Sequence, residues 1–286
     1  MSAACRNCGA ALAGHYCSQC GQVAEVHVPS VKEIIHEVLE GLTHSDSRLW
    51  NTLKCLWLKP GALTLEFIAG RRVAYLPPFR LYLILSVLYF FLSSLTHQQM
   101  VVFQLPVGER SGQADPKNFH CEDINGPSKW GLPNLNARMV HACVAARNDN
   151  GASLSHVAEG IVPKVMFIFL PLIALLHMLM YWRPRHRYAE HLLFFLHIHA
   201  FFFSIAILSL LTDVATSRWT AAKPVSDAVG LLLFVAVLLY SVVALHRVFG
   251  HSWLNTLLKA VLLFFVYLIV MALGIAAVSI YAILQL

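Results

Sequence analysis

The chain has 286 residues, 58% of them hydrophobic and only 13% charged, against roughly 45–50% and a quarter in soluble globular domains. A soluble domain of this length needs more polar surface than that, so the excess apolar residues are assigned to lipid. The formal charge of +6 falls mostly beside the apolar segments, where basic residues set orientation and meet anionic headgroups; Arg6 is the sole basic residue of the first 25, which argues against a nucleic-acid-binding tail.

The chain opens Met-Ser-Ala-Ala-Cys, without a basic n-region and apolar run. The expectation is therefore no signal peptide, a cytoplasmic N-terminus and a first spanning helix acting as signal anchor. Residues 1–25 carry Cys5-x2-Cys8 and Cys17-x2-Cys20, each followed by glycine, Gly9 and Gly21. Thiolates two residues apart can turn toward one metal, and the glycine permits the tight turn after them. Two such knuckles make a closed four-sulfur site that suits structural zinc and leaves no position for a reactive water. The competing reading, a redox or disulfide cluster, sits poorly with a cytoplasmic tail. A ribbon with so few apolar residues is expected to fold only with metal.

Residues 26–76 read as cytoplasmic amphipathic helices and an elbow entering the membrane. Ser30 with Glu33 forms a capping box for a helix through Glu40. Asp46 or Ser47 caps a second helix through Leu58, with Leu49, Trp50, Leu53, Leu56 and Trp57 as its apolar stripe. That helix either lies on the inner leaflet or packs on the bundle. Cys55 reads as a buried small apolar residue.

Residues 77–286 read as a transmembrane bundle. A hydrocarbon core of roughly 30 Å needs about 17–25 helical residues, and five segments qualify: Phe79–Leu95, Val162–Trp182, Leu192–Leu211, Val229–Leu245 and Ala260–Leu284. The first and the fourth are the shortest. Pro171 is expected to kink the second, and Ala272, Gly274, Ala276 and Ala277 suggest close packing of the last. Arg71, Arg72 and Arg80, the run Arg183-Pro184-Arg185-His186-Arg187, and Arg247 with Lys259 all fall on one side of a five-helix arrangement. They mark that side as cytoplasmic and leave the C-terminus outside. The polar loop 96–161 is then external, with a short helix near Arg138–Ala146. Its cysteines, Cys121 and Cys143, are a candidate disulfide.

His177, Glu190, His191, His197 and His199 are ionisable residues within or beside the second and third spans. Groups at such depth usually face a bundle interior or water. The short hairpin sets His177 and His191 at similar depth, and His246 ends the fourth span on the same side. His197 and His199 point in nearly opposite directions from one helix, so a metal site would need ligands from other helices. Three readings stay open for the set: structural interhelical hydrogen bonds, a substrate or proton pathway, and a metal site.

These motifs together resemble the bacterial family named Domain of Unknown Function 3667, a group of zinc-ribbon membrane proteins. The resemblance rests on Tyr16-Cys17-x2-Cys20-Gly21-Gln22, on Thr52-Leu53, Pro60-Gly61, Gly70-x-Arg72, Tyr75 and Pro78, and on Tyr188-x-Glu190-His191 through His197-x-His199. It implies this architecture and a bacterial inner-membrane setting, and names no reaction. The chain thus reads as an all-α polytopic membrane protein with an N-terminal cytoplasmic zinc ribbon, and zinc as its one cofactor. The favoured role is a non-enzymatic scaffold or sensor that meets the bilayer, anionic headgroups and a cytoplasmic protein partner. A transporter or proton/metal pathway and a membrane-embedded metalloenzyme are the alternatives.

Overall fold

The computed structural model of the chain describes residues 4–24, 47–96, 121, 126–129, 131, 133–148, 152–181, 187–216 and 223–285. The expected helix Ser30–Glu40 and most of the arginine run, 183–186, lie outside the described residues. Beyond residue 24 the described secondary structure is helical. The helices are α1 (Ser47–Leu58), α2 (Ala62–Ile68), α3 (Pro78–Thr96), α4 (Gly126–Lys129), α5 (Pro133–Asn148), α6 (Ala152–Leu179), α7 (Tyr188–Thr216), α8 (Lys223–Phe249) and α9 (Trp253–Gln285).

Four of these, α3, α7, α8 and α9, are long and apolar enough to cross a membrane. The fourth segment of the sequence reading, Val229–Leu245, belongs to a 27-residue helix, long enough at about 1.5 Å per residue to exceed the hydrocarbon core. The expected span Val162–Trp182 falls within α6 up to Leu179, whose apolar part, Lys164–Leu179, is shorter than the other four. The helix is continuous through Pro171, and the Tyr188 hydroxyl donates to the Pro171 carbonyl at 3.1 Å.

The chain divides into two compact units. The first holds residues 1–96 and 170–264. Within it α3 packs along α7, with Tyr82, Tyr89 and Phe90 arranged around the Phe203 ring at centroid distances of 5.8, 5.6 and 5.7 Å. α8 meets α7 through the stacked rings of Phe201 and Tyr240, 3.7 Å apart. The outer faces of α8 and α9 carry exposed Leu231, Leu232, Leu254 and Leu258. A contiguous apolar exterior of this kind is what lipid contact requires.

The second unit holds residues 97–169 and 265–286. Helix α5 extends the expected Arg138–Ala146 helix at both ends, and Cys143 within it is joined to Cys121 by a disulfide, Cα to Cα 5.7 Å. Phe169 and Tyr267 meet edge to face at 5.4 Å. Of the small residues expected to pack α9 closely, Gly274 faces Val165, while Ala272, Ala276 and Ala277 are exposed.

Candidate functional site

The N-terminal cysteines form a cluster built from two equivalent turns. In the first, the Cys5 amide donates to Ala10 and the Gly9 amide to Cys5, each at 2.8 Å. In the second, the Cys17 amide donates to Gln22 and the Gly21 amide to Cys17, again at 2.8 Å. Gly9 and Gly21 have φ of 78° and 72°, the left-handed region that glycine enters without steric cost. Isolated antiparallel bridges, Ala4 with Ala11 and Tyr16 with Val23, close each turn.

The four sulfurs lie within 4.8 Å of one another. Cys5 Sγ is 3.6 Å from Cys20 Sγ, and Cys8 Sγ is 3.5 Å from Cys17 Sγ. A tetrahedron of thiolates bonded to zinc at about 2.3 Å has edges of about 3.8 Å, so this cage fits a four-coordinate metal. The electrostatics are divided: the Ala10 amide pulls the Cys8 thiol down, but the neighbouring Cys17, Cys20 and Cys5 sulfurs and burial push it up to about 12. The backbone amides of Cys20 and Gln19 point at Cys17 and hold its thiol down at about 6, while those of Cys8 and Asn7 lower Cys5. Amides aimed at sulfur stabilise the thiolate, the form that binds metal.

The cluster is docked on the elbow. Gln22, the residue after the second knuckle glycine, donates from Nε2 to the Gly70 carbonyl at 2.8 Å and accepts from the Arg72 amide at 3.4 Å. Arg6, between the first two cysteines, lies across Gly70 so closely that a Cβ there would sit 2.9 Å from Arg6 Cδ. Gly70 also has φ of 83°, so any side chain at this position is both strained and obstructed. Arg71 then reaches back to Glu66 with two hydrogen bonds, 2.5 and 2.8 Å, and Arg72 donates to the Phe67 carbonyl.

The elbow is in turn tied to the spanning helices. Thr52 Oγ1 accepts from the Leu76 amide at 2.8 Å and fixes the chain leading into α3. Trp57 Nε1 donates to Ser204 Oγ of α7 at 3.0 Å, and the Tyr240 hydroxyl of α8 donates to the Leu56 carbonyl at 2.7 Å. Thr64 Oγ1 meets His197 Nδ1 at 2.9 Å in a buried contact. Of the two positions considered for α1, the structure has the packed one for the face bearing Thr52 and Leu56. Trp50 and Leu58 remain exposed on the rest of the helix.

Residues 46–90 match a family model described as a protein of unknown function (DUF3667). No curated protein and no solved structure matches the chain. The matched stretch holds α1, α2 and most of α3, so it includes Gly70 and Arg72, which meet Gln22, and Leu56, Trp57 and Thr64, which meet α7 and α8.

The structure divides the histidine set. His177 and His191 meet Nδ1 to Nδ1 at 2.8 Å, buried among Phe194, Phe195 and Phe249. His197 goes to Thr64 of α2, and His199 Nδ1 bonds the Phe195 carbonyl of its own helix at 2.9 Å. Glu190 lies in the first turn of α7, where a carboxylate meets the positive end of the helix dipole. His246 stacks on Trp253 at 3.8 Å. Among the described residues the four cysteines are the one group of three or more side chains that could hold a metal ion. Sequence reasoning missed the pairing of Thr64 in the elbow with His197, and Ser204 and Tyr240 as partners of the elbow. Only the scarcity of polar side chains in these apolar stretches marked them.

Proposed function

We propose that the chain is a non-enzymatic inner-membrane scaffold or sensor, in which a structural zinc ribbon sets the conformation of a cytoplasmic elbow that engages a protein partner. The observation that carries this reading is the Gln22 clamp on Gly70 and Arg72. It couples a metal-dependent fold to a segment bonded to Ser204, Tyr240 and His197. Zinc would be held by Cys5, Cys8, Cys17 and Cys20, closed to water and so structural in effect. Its binding free energy is folding free energy for so small a ribbon, which makes the clamp conditional on metal.

The same reading takes α6 as a fifth span, with the ribbon and elbow in a bacterial cytoplasm and the C-terminus outside. A disulfide between Cys121 and Cys143 suits an external, oxidising location for that loop. The histidines support a structural role more than a transport path, because His197 and His199 each have a partner inside the packed helices.

The test measures metal per chain on purified protein, together with partner capture by cross-linking in cells. One zinc per chain, lost in Cys17→Ser, with capture abolished by deletion of residues 1–27 while the bundle stays in the membrane, is the expected result. Unchanged capture after that deletion would remove the scaffold reading. A metal that survives Cys17→Ser would bring the intramembrane histidines forward.

A further inference from the structure

Helix α1 presents one face to the bundle and another away from it. Thr52 and Leu56 are fully buried. Lys54 stands about 200° around the helix from Leu56, and Asn51, Cys55 and Leu58 share that outer side. With Lys59, Ala74 and Tyr75 these residues line an open surface cavity of about 390 Å³.

The cavity carries positive charge on a neutral floor. Burial raises both the Cys55 thiol and the Tyr75 phenol above their ordinary values, so neither offsets the two lysines at neutral pH. The carboxylate that both of them sense, Glu66, is already held by Arg71 through two hydrogen bonds. Arg247, a further cation felt by Cys55, donates to the Pro60 carbonyl at 3.0 Å. The Lys59 amide donates to Cys55 and the Ala62 amide to Lys59. The backbone beneath Lys59 is therefore fixed before any ligand arrives, which lowers the ordering cost of binding.

The surroundings of the cavity are those of a membrane surface. Trp50 and Leu58 are 62% and 75% exposed, and an exposed indole suits headgroup level because one end is apolar and the other wet; the Trp57 N–H is instead taken by Ser204. The chain enters α3, a candidate span, three residues after Tyr75. A free anion would use the lysines and leave exposed Trp50 and Leu58 without a role. A lipid uses both.

We propose that this cavity binds the phosphate of an anionic phospholipid headgroup, with Lys54 and Lys59 as cationic walls, Asn51 as a hydrogen-bonding partner, and Leu58 with Trp50 against the acyl chains. The proposal rests on the membrane setting of the elbow and is separate from capture of a protein partner.

The test uses full-length protein in a non-ionic detergent, titrated with short-chain phosphatidylglycerol, phosphatidylcholine or inorganic phosphate. Bound lipid is counted by native mass spectrometry. Phosphatidylglycerol is expected to bind and phosphatidylcholine to bind much more weakly. Each basic residue near such a surface contributes about fivefold in affinity, so Lys54→Ala with Lys59→Ala should weaken phosphatidylglycerol roughly 25-fold. The pair Lys54→Arg with Lys59→Arg should retain it. Thermal unfolding of the same samples reports that the variants are folded, and zinc content tests the ribbon separately. Equal binding of the two lipids, or no change in the alanine pair, overturns the proposal. Inorganic phosphate binding as well as phosphatidylglycerol also overturns it, since the site would then take a free ion.

Discussion

The elbow and the last helix handle burial in opposite ways. Helix α9 is 33 residues long, yet only 6% of its apolar window is buried within the protein. The elbow has helices of 12 and 7 residues, and its Thr52, Leu56, Leu63 and Thr64 are all 2% exposed or less. Lipid solvates the apolar surface of α9 as well as a protein partner would, so α9 needs few specific contacts. The elbow puts polar backbone and hydroxyl groups against spanning helices, and each must find a partner or cost free energy. Hydrogen bonds to Ser204, Tyr240 and His197 are the result. Long apolar helices therefore locate the membrane, and the short polar segment holds the specific interactions.

The sharpest way to break this comparison is a pair of glycine substitutions. Gly61 has φ of 74°, and a Cβ there would lie 3.0 Å from the Ala244 carbonyl oxygen and 3.1 Å from Ala244 Cα. Gly61→Val combines left-handed strain with a backbone clash and should cost about 3 kcal/mol or more. Gly274→Ala in α9 meets no atom nearer than 4.0 Å and should leave the melting temperature of the detergent-solubilised protein unchanged. Equal losses would mean that α9 is packed as tightly as the elbow.

A smaller effect is expected from Thr64→Val, which keeps the shape and leaves His197 Nδ1 without its hydroxyl partner. A cost of about 1–2 kcal/mol is expected, in the range for interhelical and buried hydrogen bonds. Leu258→Ala, on the exposed face of α9, should stay within about 0.5 kcal/mol. Thermal unfolding of both variants in one detergent orders them, and the reverse order would refute the account of the elbow.

The smallest effect belongs to the surface pair Glu66–Arg71. The Arg71 hydrogen bond holds Glu66 below its ordinary value of 4.5. A depressed carboxylate contributes stability above its unfolded pKa and loses it as pH falls through the folded one. Any destabilisation from Glu66→Gln should therefore be present at pH 7, fade as pH falls below about 4.5 and vanish once it passes the lower folded pKa, and it should be slight because the pair is partly solvated. A large difference that persists in acid would show Glu66 acting through something other than its charge.

Much of this was legible from residue order. The cysteine spacing and its glycines define one metal cage because a Cys-x2-Cys knuckle is local, its geometry set within five residues. The long apolar runs define α3, α7, α8 and α9 because hydropathy over some twenty residues is a property of the segment alone. A short hairpin places His177 and His191 at one depth by chain length alone.

Other relations depend on residues far apart in the chain. Gln22 and Gly70 are 48 positions apart, Trp57 and Ser204 are 147, and Thr64 and His197 are 133. No periodicity announces such pairs, because a single threonine or serine in an apolar helix satisfies itself equally well on its own preceding carbonyl, as Ser241 does on Val237. The separation of His197 from the His177–His191 pair is likewise a matter of which segment lies opposite each ring. Local chemistry in the sequence thus determined the metal cage and the apolar helices. Only tertiary packing decided that the ribbon, elbow and spanning helices form one bonded series, since hydrogen bonds between distant segments exist only once those segments are brought within about 3 Å.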